Sequence, residues 1–252
     1  MVFEESKRSI SCRIDAVLGR ELSPRASQFA VEYADFLVRV TFKNIAEHPQ
    51  AYIHCAEAYS SCTGASHTIW LDPKSPGFEA LMMHETIRGV LIEGGFPKTA
   101  CHPNVVSCAP LRYLSSLLGS AVMDPVIDGH LVRGNFGVYD REALTRRTMA
   151  SVLVDARQGT TGQHGYLFCK WALLTVLMRL DPTFEDETVN LLHALIHEEF
   201  PEAWEIADEL SKSIMEKGFT EPESALTAML EIRSALRLQD SVAIVDAEGV
   251  RR

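Results

Sequence analysis

The stretch LMMHETIRGVLIEGGFP, residues 81–97, decides how the chain is read. Phe78, Leu81, Met82, Ile87, Val90 and Leu91 recur at helical spacing, and Gly94-Gly95 closes the pattern as a C-terminal glycine commonly does. The spacing predicts a helix over Gly77–Glu93, with His84 and Arg88 on one face, one turn apart. Upstream, AYIHCAEAYSSCTGASHTIWLDP offers two extended segments, Ala51–Tyr59 and Ser66–Leu71, around a Ser/Thr/Gly-rich turn, with Asp72-Pro73 closing the second. A small antiparallel hairpin beside the helix is expected.

Further out, Ser23-Pro24 reads as an N-cap and first-turn proline, and Phe29, Tyr33, Leu37 and Val40 continue a helical period that Pro49 stops. Beyond the central helix, Pro97–Pro110 reads as irregular and Leu111–Leu118 as a short helix. Asp124-Pro125 looks like the cap and first residue of another helix to about Val132. RGNFG, 133–137, reads as a turn. From Asp140 the pattern is helical throughout, over Asp140–Gln158, Gln163–Leu180, Pro182–Glu198, Pro201–Lys217 and Pro222–Leu238, before a tail, Asp240–Arg252, expected to fray. The expected fold class is α+β and predominantly helical: residues 1–139 form a core with a small antiparallel sheet, and residues 140–252 form a helical region packed on it.

The chain has 252 residues, 46% of them hydrophobic, enough to bury a substantial core. Its net charge of −10 is concentrated at one end, since residues 1–180 carry 18 Lys and Arg against 17 Asp and Glu, and residues 181–252 carry 6 against 17. Such acidity opposes nucleic-acid and anionic-membrane binding, so neither partner is expected. The first twenty residues hold no apolar run of signal-peptide length, and YLFCKWALLTVLMRL, 166–180, is too short to span a bilayer and contains Lys170. With six scattered cysteines suited to reduced thiols, a cytoplasmic setting is expected. Cys101 and Cys108 lie close enough in sequence to pair or share a metal, though free thiols are the plainer reading.

The chemistry centres on His84-Glu85 followed by Arg88. In a His-Glu-x-x-His helix the two imidazoles at i and i+4 aim at one cation and the Glu reaches the metal-bound water as general base. Here the second position is Arg88, whose guanidinium has no lone pair to give and stays protonated. Arg88 can instead pair with Glu85 or hold a ligand carboxylate or phosphate bidentately. For His84 the plain alternative is a hydrogen-bonded core histidine. His193 and His197 also stand at i and i+4, but among Leu191, Leu192, Leu195 and Ile196, where packing is the plainer role. His54, Cys55 and Cys62 flank the hairpin and His67 opens its second strand.

The order of helix, hairpin ending in HTIWLDP, short loop and LMMHETIRGVLIEGGFP resembles the core of the zincin metallopeptidases, in particular small gluzincin-like proteins, over roughly residues 25–130. The resemblance lies in layout, with His84 and Glu85 the matching residues and Arg88 the departure. It implies an edge strand lining a cleft directly before the metal helix, His84 as metal ligand, Glu85 as catalytic base, and a later ligand for which Asp124, Asp128 and His130 are candidates. Asp124 also suits a helix cap, and His130 a helix C-terminal dipole. Zinc is the cofactor implied, with no cofactor as the equal alternative. The expected function is an altered, inactive zincin-like binding or regulatory module taking a peptide or small molecule in the cleft. Alternatives are an active metal-dependent hydrolase using His84, Glu85 and a later carboxylate, and a helical interaction protein with no site at His84. Oligomeric state is not legible.

Overall fold

The structure is a computed structural model describing residues 19, 22–48, 58–63, 66–75, 77–105, 108–136, 141–158, 164–184 and 187–252. The chain is predominantly helical with small sheets, an α+β fold, and it divides into two units. Residues 1–91 with 130–139 form the first, and 92–129 with 140–252 the second.

In the first unit, α1 (Pro24–Glu32) starts as expected, the Ser23 hydroxyl accepting from the Ala26 N–H. Ser23 also donates its backbone N–H and its hydroxyl to the Glu79 carboxylate, at 2.8 and 2.6 Å. The expected continuation to Pro49 is corrected: α1 ends at Glu32, α2 covers Ala34–Leu37, and Val40–Asn44 is strand β1. Val40 and Phe42 are buried while Thr41 and Lys43 are exposed, so the side chains follow period two.

The hairpin is β2 (Ala58–Thr63) against β3 (Ser66–Leu71), antiparallel. Its second strand lies where the sequence puts it; residues 51–57 of the first, with His54 and Cys55, lie outside the described residues. β1 adds in parallel to the far side of β3, giving the order β1-β3-β2. The helix α3 (Phe78–Glu93) follows, with Phe78, Met82, Met83, Glu85, Thr86, Ile87 and Gly89 buried. Gly95, at φ 97°, turns the chain after it, a conformation glycine adopts without strain.

In the second unit the irregular stretch expected at Pro97–Pro110 contains strand β4 (Lys98–Cys101), paired antiparallel with β5 (Val242–Val245). The tail expected to fray is therefore anchored, with Val242, Ala243 and Ile244 buried. Two short helices were expected before Arg133; instead α4 runs unbroken over Ala109–Arg133 with Pro125 inside it. Proline removes one helical hydrogen bond, but Leu118, Ala121, Val122, Val126, Ile127 and Leu131 are all buried, and that burial outweighs a local breaker. Asp124 is consequently in mid-helix and is not an N-cap. A turn at 134–135 closes α4 through Asn135, whose φ is 54°, with the Asn135 and Phe136 N–H groups donating to the Val132 and Leu131 carbonyls; Gly137 of the expected turn lies outside the described residues.

Helices α5 (Arg141–Gln158), α6 (His164–Leu180), α7 (Glu187–Glu199), α8 (Pro201–Lys217) and α9 (Pro222–Ala235) complete the second unit. The start expected at Pro182 is moved to Glu187, because Asp181 caps a turn by accepting from the Thr183 N–H and hydroxyl. α6 packs along α8, α5 along α7, and α9 on α8 and β5. Among the described residues no helix is long and apolar enough to cross a membrane.

Candidate functional site

Helical spacing sets His84 and Arg88 on one face of α3, and the side chains meet: Arg88 Nη2 lies 3.0 Å from His84 Nε2. A guanidinium only donates, so this contact requires Nε2 to accept and the imidazole proton to sit on Nδ1. The Nε2 lone pair that would bind a metal is thus directed at an N–H. Arg88 Nη1 is also 3.6 Å from Glu85 Oε1, an i,i+3 ion pair in which the Glu85 side chain is 7% exposed and that of Arg88 24%. One cation therefore contacts both the imidazole and the carboxylate that would serve as ligand and base.

The helix is held close to its neighbour at this turn. A β-carbon on Gly89 would overlap the Phe36 ring of α2, and Phe36 packs edge-on against His67 of β3 with ring centroids 5.0 Å apart. His67 is buried against this ring rather than free to line a cleft. The Thr86 hydroxyl returns a 2.7 Å bond to the Met82 carbonyl.

One feature of the expected layout differs. The strand directly before the helix, β3, is central and is paired on both sides, by β1 and by β2. Its backbone donors and acceptors are used within the sheet, so it has no open edge on which an extended peptide could add.

The later candidates stand on α4. Asp124 and Asp128 belong to the second unit, one turn apart on α4, with Asp128 buried; His84, Glu85 and Arg88 belong to the first. His130, near the end of α4, has its pKa lowered by burial and then by the Arg133 charge. No disulfide joins Cys101 and Cys108. His193 and His197 do not share a partner: His197 packs on Trp204 with ring centroids 4.6 Å apart, and His193 is held toward its neutral form by burial and then by Arg179. Among the described residues no three His, Cys, Asp or Glu side chains are grouped so as to hold a metal ion. The cation that faces the donors on α3 is Arg88.

Sequence reasoning missed a second, part-buried charge cluster. Lys170 donates to Asp155 at 2.6 Å and to Ser151 at 2.9 Å, and lies 4.6 Å over the Trp171 ring. Nearby, burial first, then Tyr166 and Asp155, push the Tyr113 hydroxyl up to about 12. The signal was present: a lysine inside an apolar helix requires a buried counter-charge, and Ser151 and Asp155 stand four apart on α5.

Comparison with family models, curated proteins and solved structures gives no match.

Proposed function

We propose that the chain is a zincin-like protein whose metal position has been taken by a guanidinium, and that it works as a non-catalytic cytoplasmic binding or regulatory module. The observation supporting this reading is the placement of Arg88 between His84 Nε2 and Glu85 Oε1. A guanidinium spreads one charge over a plane and offers no coordination site, so it cannot lower the pKa of a water or polarise a carbonyl as Zn²⁺ does. It can orient an anionic group on a peptide or small-molecule ligand through its N–H groups. The buried pairing of β3 on both sides supports the same reading, since substrate addition beside the helix is what a peptidase would need.

The test is elemental analysis of the purified protein by emission spectrometry, with Arg88→His as comparator. The isolated chain should carry only substoichiometric zinc. Arg88→His restores two imidazoles at i and i+4 and should acquire a zinc-dependent rise in melting temperature. Near-stoichiometric zinc lost on His84→Ala, or peptide hydrolysis abolished by Glu85→Gln, would overturn the proposal.

A further inference from the structure

In the second unit α7 packs on α8, and the two helices border a cavity of about 490 Å³ at the end of α6. Met178, Pro182, Phe184 and Met215 supply its apolar lining. Met215 is 52% exposed, and Leu191, beside the lining residue Asn190, is 57% exposed. A single exposed apolar side chain is ordinary surface, but these two stand next to an apolar opening and offer an entering side chain contacts on both helices.

The charges around this opening are of one sign. α7 and α8 carry eight Asp and Glu against Lys212 and Lys217. Both lysines are committed within the chain: Lys212 shares Asp208 with Arg179, at 2.7 and 2.8 Å, and Lys217 reaches Glu231 of α9 at 2.7 Å. The other seven carboxylates are exposed, and among the described residues none of them has an ion pair. Two of the seven flank the opening, Glu187 one turn before Leu191 and Glu216 next to Met215. The cavity wall does not offset them, because Arg179 is paired with Asp208 and the wall also holds the Asp181 carboxylate. His193 in that wall is held toward its neutral form by burial and then by Arg179.

We propose that the face formed by α7 and α8 docks a basic amphipathic helix of a partner protein. The helix lays apolar side chains on Leu191 and Met215 and into the cavity, and its Lys and Arg side chains meet the flanking glutamates. Charge complementarity selects this occupant, since the same carboxylates repel nucleic acid, anionic membrane and an acidic helix. Methionine suits the role because its unbranched thioether adjusts to the shape of what enters. A helix laid along the 13 residues of α7 spans about four turns and presents its anchors at i, i+3, i+4 and i+7. The surface lies wholly in the second unit and does not depend on Arg88 of α3.

The probe is a fluorescein-labelled peptide of Leu and Lys alone, about 14 residues long, with Leu at helical spacing on one face. Two comparators separate the contributions: the same composition in an order that forms no apolar face, and the same pattern with Glu in place of Lys. Anisotropy titration with the full chain should give saturable one-to-one binding of the patterned Leu/Lys peptide, and affinity at least about tenfold weaker for each comparator. Leu191→Ser combined with Met215→Ser should cost about tenfold or more, whereas Val132→Ser, at a 54% exposed position in the first unit, should leave binding unchanged. Glu187→Gln combined with Glu216→Gln should weaken binding and reduce its loss on raising the salt. All these positions are exposed, so the melting temperature should hold in every variant. Either comparator binding as well as the patterned Leu/Lys peptide, a Leu191→Ser/Met215→Ser chain that binds as before, or an equal loss in Val132→Ser would each overturn the proposal. So would a dimer in sedimentation velocity that Met215→Ser dissociates, since the face would then be covered by a second copy of this chain.

Discussion

Gly89 sits in the middle of α3, where alanine would ordinarily be preferred by about 1 kcal/mol because glycine gives up more backbone freedom on folding. The structure predicts the opposite sign. A β-carbon there would overlap Phe36 Cζ and stand 3.1 and 3.2 Å from Cε1 and Cε2. To reach ordinary carbon contact the ring must retreat by about 1 Å. Phe36 cannot do so freely, since it is buried and packed against His67. Overpacking of this kind costs about 1–3 kcal/mol. An overlap this deep calls on the upper part of that range, about 2–3 kcal/mol, so after the propensity gain of about 1 kcal/mol Gly89→Ala should destabilise the protein by about 1–2 kcal/mol net. Urea denaturation followed by far-ultraviolet circular dichroism measures it, with Phe36→Leu and the double variant completing a cycle. The smaller leucine should absorb the methyl and make the two changes non-additive. A Gly89→Ala protein as stable as the parent or more so, or strictly additive variants, would refute the close approach of α3 to α2.

Three further outcomes follow from the second unit. Lys170→Met leaves Asp155 facing a buried position without its cation; with side chains only 12% and 14% exposed, the loss should be about 3 kcal/mol in chemical denaturation, recovered in large part by adding Asp155→Leu. Arg237 holds φ at 54° where α9 ends, so Arg237→Gly should stabilise by about 0.5–1 kcal/mol, read as a raised melting temperature. Asp208 has its pKa lowered chiefly by the Lys212 hydrogen bond, Asp246 chiefly by the Arg252 one, and Glu231 by Lys217 and Ser213 against the upward push of burial. Groups with depressed folded values stabilise fully above their unfolded values, so thermal stability should hold near neutrality and fall as pH drops below about 4, with Asp208→Asn flattening that fall.

The helices of the second unit were legible because their ends are written in local chemistry: Pro201 and Pro222 open α8 and α9, and Gly218 closes α8. The strands that were missed have partners distant in the chain. Val40 continues the spacing of Phe29, Tyr33 and Leu37, and becomes strand because β3 pairs with it in parallel. Val242–Val245 has too short a pattern to declare itself and is ordered by β4. Pro125 misled for the converse reason, a correct local rule overridden by burial on both sides of it. At the candidate site, the i, i+4 relation of His84 and Arg88 was legible, and so was the Glu85 pairing as an option. What the sequence did not carry was the central position of β3, a property of sheet order that no single segment encodes.

The two arginines singled out by the structure are satisfied in different ways, and this bears on what each can recruit. Arg88 takes contacts from His84 and Glu85 of its own helix, four and three residues back, so the same turn of α3 supplies them whatever packs around it. An anion arriving there must compete with Glu85, and its gain is the difference between two carboxylate contacts rather than a whole one. Such a site discriminates among ligands by geometry more than it contributes affinity. Arg179 instead draws its carboxylate from Asp208 of another helix, a residue that Lys212 also holds. An anion that bound at α3 should therefore do so more tightly with Glu85→Gln than with the parent chain.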